Sequence, residues 1–135
     1  MKLMHRPGLR FALLLLALAV LAPCARAQLG ARSTEEWLRM LDAQNRVSKL
    51  RVDEVVAALG LAPGASVADI GAGSGVFTLP LAGAVTATGR VYAVDIDQGL
   101  VDHIVGKARE ARATQVQGVL GKFTDPALPA RDLDL

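Results

Sequence analysis

Between Val67 and Ala82 the sequence reads VADIGAGSGVFTLPLA. A short apolar run carries Asp69, glycines follow at 71, 73 and 75, and a helical pattern begins after them. Glycines at this density between a strand and a helix let backbone approach a ligand closely. A triphosphate-binding loop of this kind needs Gly-x-x-x-x-Gly-Lys followed by Ser or Thr. The pairs Gly106-Lys107 and Gly121-Lys122 have neither the upstream glycine nor the downstream hydroxyl, which excludes that class. A dinucleotide loop needs Gly, or at most Ala, where this chain has Val76, so an NAD site is disfavoured but stays open.

A second acidic position stands in VYAVDID, where Asp95 closes an apolar run 24 residues beyond Gly71. In an open parallel sheet the strand ends share one rim, which puts Asp95 in the crevice beside the glycine loop. An ionised carboxylate only accepts hydrogen bonds, so it suits a pair of ribose hydroxyls and repels a 2′-phosphate. Capping of the next helix is the other role open to an aspartate here, and Asp97 is better placed for it.

Asp69-x-Gly71-x-Gly73-x-Gly75 followed by VYAVDID resembles the class I S-adenosylmethionine-dependent methyltransferases, over roughly residues 33–135. The resemblance implies S-adenosyl-L-methionine as cofactor and methyl transfer to an unknown acceptor, a small molecule or a protein. It implies that Asp95 takes the ribose, that Asp69 lies near the ammonium group, and that Ile96 lies against the adenine face. It also implies that Asp125 reaches the adenine amino group. The helix N-terminus expected near Gly75 would offer N–H groups and positive dipole to the cofactor's carboxylate. Each position has a plainer role too: Asp69 as a brace for the loop, Ile96 as core, Asp125 as the start of an Asp-Pro turn. The family places acceptor-side residues after its fourth strand, where this chain is expected to stop, so no catalytic residue is named. A non-catalytic S-adenosylmethionine-binding fragment and an NAD-dependent oxidoreductase fragment are the alternatives.

Positioning these residues takes alternating strands and helices. Ser33 and Glu36 form a capping box ahead of a helix with Trp37, Met40 and Leu41 on one stripe. A second helix is expected over Leu50–Leu59, with Val52, Val55, Val56 and Leu59 facing inward and Gly60 as its stop. SVADIGA and RVYAVDI read as strands, and QVQGVLGKF as a third interrupted by Gly118. Helices are expected over Gly75–Ala87 and Gln98–Ala113, the latter with Leu100, Ile104 and Ala108 inward. RDLDL begins a fourth strand. The order predicts an α/β, doubly wound, mostly parallel sheet of Rossmann-like methyltransferase type, incomplete after the third to fourth strand.

The first 27 residues read differently. Lys2, Arg6 and Arg10 precede an apolar run of 12 residues from Phe11 to Ala22, and Ala25-Arg26-Ala27 supplies small residues ahead of a cut before Gln28. This is the layout of a secretory signal peptide, which implies a secreted or periplasmic protein. Cys24, the only cysteine, sits in a lipoprotein-like box spoiled by Pro23, so cleavage after Ala27 is favoured. Membrane contact is expected only through an uncleaved leader. Beyond Ala27 there are eleven basic and thirteen acidic residues, so the basic balance belongs to the leader and nucleic acid is not an expected partner. With no cysteine and the single histidine His103 in that part, no metal site is expected. Lys107, Arg109 and Arg112 read as a solvated basic face. The expected division is a signal peptide at 1–27, N-terminal helices at 28–62, and a partial S-adenosylmethionine-binding domain at 63–135.

Overall fold

A computed structural model describes residues 32–135. The leader, Cys24 and the cut after Ala27 lie outside the described residues. Residues 34–135 form one unit, with helices α1 (Thr34–Leu41), α2 (Gln44–Leu50) and α3 (Val52–Ala58), then β1 (Ser66–Ile70), α4 (Thr78–Val85), β2 (Arg90–Asp95), α5 (Gln98–Glu110) and β3 (Val116–Leu120).

The three strands are parallel and lie in the order β1-β2-β3. The register aligns Val67 with Val91 and Val91 with Val116, and Asp69 with Ala93 and Ala93 with Gly118. Side chains alternate along a strand, so all of these share one face. Both crossover helices cover that face. Val67 and Val91 are buried in one cluster with Val56 of α3 and Leu81, Ala82 and Val85 of α4. A Cβ at Gly118 would lie 2.7 Å from Val105 and 2.8 Å from Val101 of α5. Right-handed crossovers in a sheet that grows in one direction require this arrangement. Gly118 therefore does not interrupt β3. It lets α5 approach an unbroken strand.

The inward stripe of α5 is as expected, with Leu100, Ile104 and Ala108 buried and Val101 beside them. Elsewhere the helices differ from the sequence reading. The helix expected over Leu50–Leu59 runs over Val52–Ala58, and a separate helix, Gln44–Leu50, precedes it; the two are parted at Arg51, whose left-handed backbone (φ 48°, ψ 48°) no α-helix continues through. Of its expected inward residues only Val56 is buried, while Val55 and Leu59 are 41% and 40% exposed. The helix expected from Gly75 begins three residues later, at Thr78, because Gly75 has φ +76° and cannot lie in a right-handed helix.

RDLDL forms no regular strand. The Asp134 N–H donates to the Ser66 carbonyl at 2.8 Å, and the Ala68 N–H donates to the Leu135 carbonyl at 2.9 Å. The Ser66 N–H also donates to the Asp134 carboxylate at 2.8 Å. Residues 134–135 thus run parallel to β1, on the edge opposite β2.

Candidate cofactor site at the sheet rim

The glycine loop, the Asp95–Asp97 turn and the segment after β3 leave the sheet at the same rim, the C-terminal ends of parallel strands. In open α/β sheets ligands bind at that rim. Gly71, Gly73 and Gly75 have φ of +75°, +59° and +76°. Each occupies a region that costs a residue with a Cβ roughly 1–2 kcal/mol. Three left-handed residues at alternate positions fold the chain back on itself between β1 and α4.

The glycines differ in what surrounds them. A Cβ at Gly73 would lie 3.0 Å from Leu41 Cδ1 of α1, and one at Gly75 would lie 3.1 Å from Ile104 Cγ1 of α5. A Cβ at Gly71 would meet nothing within 4 Å. Gly73 and Gly75 thus let neighbouring helices close on the loop, whereas Gly71 faces open space. Leu41 holds a place over the loop that the sequence spacing of α1 did not indicate. At its other end α1 meets the N-terminus of α5, where the Thr34 hydroxyl approaches the Asp97 carboxylate at 3.4 Å.

Asp95 is drawn into the loop. Its Oδ2 accepts from the Gly73 N–H at 2.9 Å and its Oδ1 from the Asp97 N–H at 3.1 Å. Each carboxylate oxygen keeps a second acceptor position. Asp97 caps α5 as expected, accepting from the Leu100 N–H at 3.1 Å. The N–H groups of Gly71 and Ala72 go to the Val94 carbonyl and that of Gly75 to the Ala72 carbonyl, all at 2.9 Å. The Gly75 N–H is thus spent inside the loop, and the helix N-terminus expected near Gly75 lies three residues on, at Thr78.

Asp69 lies on the same face as Asp95, two pleats from Val67, and its Oδ2 accepts from the Thr78 hydroxyl at 2.6 Å. Thr78 is fully buried in the first turn of α4. Asp69 therefore does brace the loop. Burial pushes its carboxyl above the ordinary carboxylate value, the Thr78 hydrogen bond opposes the rise, and the charge of Asp95 adds to it. Two carboxylates at one rim, one of them poorly solvated, favour a cationic group between them.

That shift has a consequence for stability. Between the ordinary value of 3.8 and its raised value in the fold, Asp69 holds a proton in the folded protein that it has lost in the unfolded chain. Stability falls as pH rises through that window, and the cost of the charge is fully present above it. Asp69→Asn keeps an acceptor for Thr78 and cannot ionise. It is expected to be at least as stable as the parent at neutral pH, to lose this part of the pH slope, and to bind a cationic ligand more weakly. Urea unfolding across the acid range checks this, and an Asp69→Asn protein less stable than the parent at neutral pH would contradict it.

Ile96 follows Asp95 at the rim and is 49% exposed, so it is not packed in the core. Ile70, at the end of β1, is 60% exposed and gives the rim a second apolar surface. Asp125 is placed differently. Its Oδ1 accepts from the Ala127 N–H at 2.8 Å, and its backbone pairs with Lys122 in an isolated bridge. Its carboxylate shapes the Asp125-Pro126 turn. Lys107 also departs from the solvated face expected of it: its Nζ donates to the Ser74 carbonyl inside the glycine loop at 3.1 Å. His103 is half-buried with its Nε2 enclosed, rather than a solvated surface residue. Among the described residues no group of three or more His, Cys, Asp or Glu side chains is placed to hold a metal ion.

The chain belongs to the methyltransferase-domain family, whose model matches residues 67–135. A sequence search of curated proteins finds no match. Among solved structures it is similar to a SAM-dependent methyltransferase from Aquifex aeolicus, at 24% identity and a TM-score of 0.67, over 77% of this chain and 55% of that one. It is also similar to a coclaurine N-methyltransferase bound to N-methylheliamine and SAH, at 27% identity and a TM-score of 0.51, over 56% of this chain and 21% of that one. A SAM-dependent O-methyltransferase from Thermotoga maritima aligns at 20% identity and a TM-score of 0.56, over 62% of this chain and 31% of that one. The α/β parallel fold of methyltransferase type is the fold of this chain, which spans about half of the first of these structures and less of the other two.

Proposed function

We propose that this chain binds S-adenosyl-L-methionine at the sheet rim and serves the transfer of its methyl group to an acceptor. The observation that carries the reading is the Asp95 carboxylate: it stands at the rim on the end of β2, is bonded to the Gly73 N–H at 2.9 Å, and keeps acceptor capacity on both oxygens for a diol. The residues present fit the cofactor. Gly71 leaves open space for close approach, Ile96 offers an exposed apolar face to a base, and Asp69 with Asp95 makes the rim favourable for an ammonium or sulfonium group. The family match in this region supports the same reading, and nothing in the site favours NAD over it.

S-adenosylmethionine supplies a methyl group already activated on a sulfonium, so the transfer needs alignment more than activation. The chain's own part is to orient. Asp95 fixes the ribose against the loop, the loop sets the depth of the methionine end, and Ile96 sets the plane of the adenine. Incubating the full chain with methyl-labelled S-adenosylmethionine and a cell extract tests the activity. Label on an extract component supports it, binding without transfer reduces the reading to a cofactor-binding module, and absence of binding contradicts it.

The order of charges and apolar residues in positions 1–27 supports export, with cleavage after Ala27, as part of the same proposal. The expected result is a mature chain beginning at Gln28, read by intact mass of the protein recovered outside the cytoplasm. A chain retained inside with its first residues intact would contradict it.

A further inference from the structure

We propose that Lys107 is a positioning residue of the cofactor site, clamping one peptide of the glycine loop in the orientation that receives the methionine end of S-adenosylmethionine. The inference rests on the cofactor reading above and names a residue outside the glycine and aspartate motifs.

The peptide in question joins Ser74 to Gly75. Ser74 is 2% exposed and sits between two left-handed glycines. Its hydroxyl is buried with no hydrogen-bond partner, so the side chain does not anchor the residue. The peptide itself is held at both ends. The Gly75 N–H donates to the Ala72 carbonyl at 2.9 Å, and the Ser74 carbonyl accepts from Lys107 Nζ at 3.1 Å. Lys107 reaches this carbonyl from α5, 33 residues further along the chain. A basic residue in the last turn of a helix ordinarily answers its own helix dipole or the solvent. Lys107 instead crosses to the loop, although holding a long side chain in one geometry costs rotamer freedom.

The clamp matters because of what lies on either side. Gly75 lacks a Cβ and adopts φ of either sign at little cost, so the Ser74–Gly75 peptide can turn over by rotation about ψ of Ser74 and φ of Gly75. The steric supports of the loop do not prevent this, since Leu41 packs at Gly73 and Ile104 at Gly75, and neither bonds the peptide. A turned-over peptide would reverse its dipole and alter the floor on which the charged amino-acid end of the cofactor rests. The adenosine end, placed by Asp95 and Ile96, would be untouched.

The test uses Lys107→Met, which keeps the length and loses the donor, and Lys107→Arg, which keeps a donor. Calorimetric titration of the full chain with S-adenosylmethionine, S-adenosylhomocysteine and 5′-methylthioadenosine separates the two ends of the ligand, because the last lacks the amino-acid end. Lys107→Met is expected to weaken the first two by about tenfold, as for loss of one charge-assisted hydrogen bond. It should leave methylthioadenosine unchanged, and Lys107→Arg should recover most of the loss. Equal weakening of all three ligands, or of none, overturns the proposal. If the parent chain binds none of them, the cofactor reading fails, and hydrogen exchange at the Gly75 amide without ligand decides the clamp separately. Faster exchange in Lys107→Met supports it, and unchanged exchange overturns it.

Discussion

Replacing Asp95 by Ala is expected to lower the affinity for S-adenosylmethionine by about a hundredfold. The carboxylate does two jobs at once. It would accept the ribose hydroxyls, and it holds the Gly73 N–H at 2.9 Å and the Asp97 N–H at 3.1 Å. A hydrogen bond to a charged group contributes about 1.5–3 kcal/mol, and losing the equivalent of two such bonds at the lower figure, to the ligand and the loop, corresponds to about a hundredfold. Asp95→Asn, which keeps the shape and one acceptor, should fall between the two. Titration calorimetry on folded, monodisperse variants measures this. An Asp95→Ala protein with the parent's affinity would remove the ribose assignment.

Gly71→Val is expected to abolish cofactor binding while leaving a folded protein. The Val side chain at Gly71 would enter open space beside the loop, since a Cβ there meets no atom within 4 Å. It therefore blocks a ligand without displacing protein. The backbone strain of a β-branched residue at φ +75° costs about 1–3 kcal/mol, which lowers the melting temperature without unfolding the chain. Gly75→Val is the contrasting variant: the same strain is joined by a Cβ 3.1 Å from Ile104 Cγ1, in the core of α5, and it should lose far more stability. Circular dichroism and thermal melting read the fold, and calorimetry reads the binding. Native binding by Gly71→Val would place the ligand away from this loop.

What the sequence made legible follows the range of the interactions involved. The strands, the inward stripe of α5, the cap at Asp97 and the rim position of Asp95 depend on local pattern and on parallel topology, and they are where the sequence places them. The break at Arg51 was not legible, because an arginine in the left-handed region carries no signal of its own. The late start of α4 was legible only in part: the run of glycines marked the loop, but not that Gly75 itself would take a positive φ. Gly118 reads as an interruption until Val101 and Val105 are brought against it by the β2-α5-β3 crossover. Leu41 over Gly73 and Lys107 on Ser74 join residues more than 30 positions apart, and no spacing rule connects them. Asp125 had two readings in the sequence, and its hydrogen bond to Ala127 shows the turn-forming one in place.

The most direct test of the central claim is one set of titrations on the parent chain. S-adenosylmethionine, S-adenosylhomocysteine and NAD are added in turn to the same folded protein. The expected result is saturable binding of the first two, abolished by Gly71→Val and weakened by Asp95→Ala, with no heat from NAD. Saturable binding of NAD, with neither S-adenosyl compound bound, would contradict the account.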